Sequence, residues 1–270
     1  MDISENEKLK KWLIAFDMDH TILDGNSDYL IRDLLKPNKK IEINSYCRLN
    51  KLSWMSEMQM VFDELHYSKI SINEIKDKII SIPFTKGMIE LFDFLRKLKL
   101  ENESYNYNKN QILDNKSIKI QIIILSGANM MFIKWVIEKM NIQDLIDNYY
   151  SFSCLEYNNK LILGKFHEYK CNTCDPFLCK KKAIEDFHIK DNNYEKVIYL
   201  GDGLNDYCAC LALNRVKNSI IYYRDNYNLD YFLHKDQNAI ENKSKLKSKL
   251  FKWSNGFDIL NNLKNEIFIN

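Results

Sequence analysis

Asp17-Met18-Asp19-His20-Thr21 sets two carboxylates two residues apart, directly after the apolar run at 12–16. A carboxylate at the end of a buried strand can attack phosphorus, and the acyl phosphate formed splits one hard hydrolysis into two easier steps. A second carboxylate beside it can protonate the leaving alcohol and later deprotonate the attacking water. A bare D-x-D-x-T also arises as a loop of capping acids, so its meaning depends on the other strand ends. Ser126-Gly127-Ala128-Asn129 follows the run at 122–125, offering a hydroxyl and free backbone N–H groups at the start of a helix. Gly201-Asp202-Gly203-Leu204-Asn205-Asp206 follows the run at 197–200, and Asp202 there can give oxygen to a hard cation. Phosphoryl oxygens repel an attacking carboxylate, so such a site requires Mg²⁺ and a lysine. Lys180, Lys181 and Lys182 are the candidates. Successive helical residues point about 100° apart, so only one of the three can aim inward.

The elements that must hold these residues are legible from periodicity. Runs at 12–16, 120–125 and 197–200 are short, apolar and bounded by polar residues, which predicts strands buried on both faces of a parallel sheet. Helical spacing recurs at 88–98, 129–140 and 179–187, giving strand and helix alternation and an α/β fold class, here a Rossmann-like core. From 31 to 82 only helical spacing appears, in Met55, Met58, Val61, Phe62 and Leu65, then Ile72, Ile75, Ile79 and Ile80. This predicts a helical cap at 31–82 inserted into a discontinuous core at 11–30 and 83–270. The segment 101–117 carries five Asn and reads as a low-complexity surface loop. The five lysines of 243–252 read as the solvated face of a helix with Leu246, Leu250 and Phe251 inward.

Composition narrows the partners. At 46% apolar and 28% charged the chain is globular, and 39 basic against 37 acidic residues leave no basic stripe for a nucleic-acid backbone. No apolar run approaches the roughly 20 residues that cross a bilayer, and the first eleven residues lack the apolar core of about 7–15 residues in a secretory signal. A cytoplasmic protein acting on a small phosphorylated metabolite, without nucleic acid or membrane as partner, is the expectation. Seven cysteines are too few and odd in number for a disulfide-stapled domain, so reduced thiols are expected.

Taken in order, Asp17-x-Asp19-x-Thr21, Ser126, Lys180 and Gly201-Asp202-Gly203-x-Asn205-Asp206 resemble the four motifs of the haloacid dehalogenase superfamily. The resemblance narrows to the PHOSPHO-type phosphatases through Asp24-Gly25-Asn26-Ser27-Asp28, 81–88, Cys171-x-x-Cys174-Asp175-Pro176-Phe177-Leu178-Cys179-Lys180 and 253–259. It implies Asp17 as nucleophile, Asp19 as acid and base, Lys180 as the bridging lysine, and Mg²⁺ held by Asp17, Asp202 and the Asp19 carbonyl, with Asp206 behind them. It also implies Thr21, Asp28, Ser126, Gly127 and Asn129 as the substrate-binding positions. The family usually carries Asp after the phosphate-binding Ser; here Gly127 stands instead. Losing that carboxylate should weaken an ammonium head group and suit a bulkier, flatter one, which makes pyridoxal 5′-phosphate or a related ring phosphate the expected substrate. The rivals are phosphocholine or phosphoethanolamine, phosphoserine, and a catalytically silent binding module, which the intact Asp17 and Asp19 disfavour.

Three features stay open. His167, Cys171, Cys174 and Cys179 either form a tetrahedral Zn²⁺ site or are packed free thiols. His20, His66, His188 and His234 read as local polar fillers, with the backbone of His20 mattering more than its ring. Trp54, Met55, Met58 and Phe62 form a stripe that is either core or part of a cap closing over substrate.

Overall fold

The computed structural model describes residues 10–107, 118–190 and 193–268. The chain begins with β1 (Lys10–Phe16) and passes through α1 (Ser27–Arg32), α2 (Pro37–Leu49), α3 (Trp54–Tyr67) and α4 (Ile72–Ile80) to α5 (Met88–Tyr107). It continues as β2 (Ile118–Asn129), α6 (Met130–Met140), β3 (Asn148–Tyr157), β4 (Lys160–Gly164), α7 (Lys180–Ile184) and β5 (Lys196–Gly201). It ends in α8 (Leu204–Ala212), β6 (Ser219–Arg224), α9 (Asn228–His234), α10 (Ala239–Ser244), β7 (Lys249–Trp253) and α11 (Gly256–Phe268). The strands form one sheet in the order β4-β3-β2-β1-β5-β6-β7. All neighbours are parallel except β3 and β4.

The continuous apolar runs follow from burial on two faces. In β1, Trp12, Ile14 and Phe16 enter one core while Leu13 and Ala15 enter the other. In β5, Ile198 and Leu200 oppose Val197 and Tyr199 in the same way. With side chains alternating at period two and helices on both sides, no position is left for a polar residue. Phe16 pairs with Ile124 of β2 and with Leu200 of β5, so β1 and β5 end nearly level while β2 runs on past them to Asn129. Asp17, Ser126 and Asp202 therefore meet at the carboxyl edge of the sheet, where open α/β sheets gather ligands.

The helices of 31–82 share their core with the sheet: Ile43, Met58, Phe62 and Ile75 belong to the same apolar cluster as Ile14 and Phe16. Helix α1 itself straddles residue 31. Two segments far apart in sequence are clamped together, since the Gly256 N–H donates to the Lys86 carbonyl at 2.7 Å. A Cβ on Gly256 would lie 2.4 Å from the Gly87 carbonyl carbon, and Gly87 has φ +79°, so both positions require glycine.

Several expectations are corrected. Strands β3, β4, β6 and β7 were absent from the sequence reading. The lysine-rich 243–252 segment is the end of α10 followed by β7, because Lys249–Trp253 extends the sheet beside β6 instead of coiling. Helix α5 runs through Tyr107, so 101–107 is helix and not loop, and 108–117 lies outside the described residues. Residues 126–129 remain extended at the end of β2, and α6 starts only at Met130. Among the described residues no helix is long and apolar enough to cross a membrane.

Candidate active site

Asp17 follows β1 and donates its backbone N–H to the Leu200 carbonyl of β5 at 2.9 Å, which fixes its side chain over the strand ends. Lys180, the first residue of α7, reaches Asp17 Oδ1 at 2.8 Å and Asp206 Oδ1 at 2.6 Å with its ammonium fully buried. Lys181 and Lys182 instead pair with Glu185 and Asp186 along their own helical turns. Burial works against the Lys180 charge, but the two carboxylates outweigh it and hold its pKa up. Asp206 uses both oxygens: Oδ1 also accepts from Tyr199 Oη at 2.5 Å, while Oδ2 accepts from the N–H groups of Asp202 and Gly203 at 2.9 and 2.7 Å. A Cβ on Gly201 would lie 2.5 Å from the Asp206 carboxyl, so glycine there lets Asp206 fold back under the loop. Asp206 thus anchors Lys180 and shapes the loop that presents Asp202.

Asp19 sits in the turn Met18–Ile22, where His20 takes φ 54°. Its oxygens accept from the Ser27 N–H at 3.0 Å and the Ser27 hydroxyl at 2.9 Å. Burial, with the nearby charge of Asp28, pushes its pKa well above the usual carboxylate range. Asp28 receives the Trp54 indole N–H at 2.7 Å, yet burial still lifts its pKa to about 6. Arg32 stands behind it, held by Asn44 and Glu57 and stacked at 5.3 Å on the Trp54 ring.

Asp17, Asp19, Asp28, Trp54 and Lys180 line a cavity of about 360 Å³. Its wall carries five carboxylates, Asp17, Asp19, Asp28, Asp175 and Asp202, against the single ammonium of Lys180. Burial and mutual repulsion raise Asp17 to about 6 and Asp202 well above its ordinary value. A carboxylate-rich, oxygen-only donor set with an unbalanced negative charge suits a hard divalent cation such as Mg²⁺. Asp17, Asp202 and Asp206 bring carboxylate oxygens within 4.8 Å of one another, and Asp206, whose oxygens are already committed, contributes from behind.

The remaining sequence candidates divide. Ser126 lines the cavity, its hydroxyl accepting from the Ala128 N–H at 3.2 Å, and Gly127 lines it beside Asn205. Asn129 does not face the main cavity; its Oδ1 caps α6 by accepting from Met131 and Phe132, and it borders a small adjoining hollow. Thr21 is fully buried with no partner for its hydroxyl and is absent from the cavity wall, because the turn after Asp19 carries it beneath the surface. Sequence reasoning missed Tyr29, Phe152 and Asp175 as wall residues, since no local pattern marks them. His20, read as a backbone position, lies on the cavity wall, with its ring Nδ1 buried and unpartnered and its carbonyl accepting from Arg224 at 2.6 Å. Trp54 is on the wall while Met58 and Phe62 are core, so the stripe serves both purposes.

The thiol cluster is corrected in one member. Cys171, Cys174 and Cys179 come together with Cys208 of α8, their sulfurs within 4.8 Å of one another. His167 stays outside the set, because its Nε2 is occupied in accepting the Cys179 backbone N–H at 2.8 Å.

Comparison with known proteins identifies the family. The Putative Phosphatase family matches residues 12–105 and 107–267. The pyridoxal phosphate phosphatase PHOSPHO2 of Bos taurus is 33% identical over 259 residues, covering 94% of this chain and 98% of its own. The phosphoethanolamine/phosphocholine phosphatase of Gallus gallus is 26% identical, covering 75% of this chain and 70% of its own. Among solved structures, a phospho-aspartyl intermediate analogue of phosphoserine phosphatase shares the fold with a TM-score of 0.53 at 17% identity, over 94% of this chain and 99% of its own. The chain belongs to the Putative Phosphatase family, hydrolases of phosphomonoesters built on the haloacid dehalogenase fold.

Proposed function

We propose that this chain is a Mg²⁺-dependent phosphatase that hydrolyses a small phosphomonoester through a phosphoaspartate at Asp17, with pyridoxal 5′-phosphate or a related ring phosphate as substrate. The observation that carries the reading is the buried Asp17–Lys180 contact of 2.8 Å on the wall of an otherwise acidic cavity. Asp17, Asp202 and the Asp19 carbonyl would hold the ion, which supplies Lewis-acid neutralisation of the phosphoryl oxygens when bound. Lys180 and the Ser126 hydroxyl orient the phosphoryl group, and Asp17 attacks phosphorus to form the acyl phosphate. Asp19, whose pKa burial and the Asp28 charge push up, gives its proton to the leaving alkoxide. It then takes a proton from water, whose oxygen attacks phosphorus and releases Asp17 and phosphate. The helices of 31–82 act as a cap in this reading, since Trp54 from α3 reaches the wall.

Gly127 supports the choice of leaving group. A Cβ there would meet nothing closer than the Asn205 amide nitrogen at 3.6 Å, so glycine leaves room that a side chain would fill. Tyr29, Trp54 and Phe152 offer rings around that space. The Asp28 carboxylate on the same wall favours a second reading, a phosphorylated amino alcohol. Competing pyridoxal 5′-phosphate against phosphocholine with Mg²⁺ separates them: a higher kcat/KM for the ring phosphate is expected. A preference for phosphocholine would overturn the substrate assignment, and failure to hydrolyse any of a panel of phosphomonoesters would overturn the activity.

A further inference from the structure

Cys171, Cys174 and Cys179 lie on the segment that leads into Lys180, whereas Cys208 lies on α8, the helix that follows Gly201-Asp202-Gly203 and carries Asp206 in its first turn. Cys171 Sγ is 3.4 Å and Cys179 Sγ 3.6 Å from Cys208 Sγ, and all four sulfurs fall within 4.8 Å of one another. A disulfide would bring two of them to about 2.05 Å. Four thiolates around a tetrahedral Zn²⁺ at about 2.3 Å each stand about 3.8 Å apart, which is the spacing the cluster approaches. The surroundings suit such a set. Backbone N–H groups of Lys180 and Lys182 face the Cys174 and Cys179 sulfurs, and the Thr173 hydroxyl lies 3.4 Å from Cys171 Sγ. Donors of this kind orient metal-bound thiolates. Cys179 and Cys208 are buried, Cys171 and Cys174 partly so, which closes the site to a fifth ligand while leaving a way in.

We infer that Cys171, Cys174, Cys179 and Cys208 form a four-thiolate structural Zn²⁺ site that staples the lysine-bearing segment to α8, the helix that carries Asp206. Binding converts four thiols and Zn²⁺ into one tetrathiolate complex and releases four protons. The segment between His167 and Cys179 contains no regular element, and it supplies Thr173, Asp175 and Leu178 to the cavity wall. A cross-link there fixes both the wall and the starting point of α7, and hence the aim of Lys180. The inference concerns metal content and does not depend on the substrate or on the phosphatase reading.

The test is elemental analysis of the full chain, expressed with added zinc and purified on a tag without histidines. About one zinc per chain is expected, as for a closed structural site. Replacement by Co²⁺ should give thiolate-to-cobalt charge-transfer absorption of a tetrahedral four-sulfur centre. Cys208→Ser should lose the metal, whereas His167→Gln and Cys47→Ser, whose side chains lie outside the set, should keep it. Should Cys208→Ser fail to fold, the cobalt spectrum of the wild-type chain decides, since three sulfurs and an imidazole give a different charge-transfer intensity. Wild-type protein that neither carries zinc nor takes up Zn²⁺ or Co²⁺ when reduced would overturn the inference. So would retention of zinc by Cys208→Ser with its loss from His167→Gln, or a mass two daltons light per cysteine pair with all four thiols oxidised.

Discussion

Two buried polar clusters flank the central strands, and they have been resolved in opposite ways. At the carboxyl edge, Asp17, Asp19, Asp28 and Asp202 share a cavity with one ammonium, and all four are pushed above their ordinary pKa values. Elsewhere on the sheet, His188 sits between Tyr150 and Tyr194 at 2.9 and 3.2 Å, and Tyr194 Oη also lies against Gln121. There each partner is neutral and every ring nitrogen of His188 is matched, so burial costs little beyond lost hydration. The acidic cluster keeps an unmatched negative charge that a bound hard cation would offset. Folding stability alone would have eliminated such a set, because buried like charges are among the costliest arrangements a core can hold.

The comparison can be broken first at Asp17. Asp17→Asn keeps the shape and removes the attacking oxygen's charge, so turnover should fall by at least about a thousandfold while the fold persists. Retention of more than a few per cent activity without deamidation contradicts the assignment. Next comes Lys180: Lys180→Ala should lower kcat by about a hundredfold or more, as loss of a preorganised charge at the reacting group does. Lys181→Ala and Lys182→Ala, whose partners Glu185 and Asp186 lie off the cavity wall, should leave it nearly unchanged. Equal losses at all three positions would remove the distinction. Asp28→Asn is a smaller change, expected to cost about tenfold or less in kcat/KM for a ring phosphate and more for phosphocholine. Steady-state kinetics on both substrates reads the difference.

The smallest effect on activity, and the sharpest contrast, is at His188. Burial lowers its pKa to about 4 from an ordinary 6.5. Between those values the unfolded chain binds a proton that the folded chain refuses, so stability falls as pH drops from about 6.5 to about 4 and levels off below. His188→Gln removes this source of acid sensitivity, flattening the stability profile by roughly 2–3 kcal/mol at its acid end. Denaturant melts at pH 7 and pH 4 measure it, and an unchanged profile would show that His188 is not the titrating group.

Strands β1, β2 and β5 were legible because burial on two faces leaves an uninterrupted apolar run, and they are the strands that carry the site. Of the outer strands, β3 mixes Asn148, Ser151, Ser153 and Glu156 with aromatics and β7 interleaves the exposed Lys249 and Lys252, whereas β6 is itself a buried run, Ser219–Arg224, that the reading passed over. Acid and lysine positions were readable because the chemistry needs particular residue types after strands. Cys208 was not, since a cysteine inside a buried helix carries no spacing signal, and His167 lay closer in sequence to the other three. The wall residues Tyr29, Phe152 and Asp175 come from α1, β3 and the irregular segment before α7, which only the fold brings together.

The central claim is that the phosphoryl group passes through Asp17. Acid-quenching the enzyme during turnover of a phosphomonoester, then reducing with borohydride, converts a trapped acyl phosphate to homoserine, which peptide mass spectrometry places in the sequence. Homoserine at position 17 alone is the predicted result. Homoserine at Asp19 or Asp202, or none at all from enzyme quenched in active turnover, would contradict it.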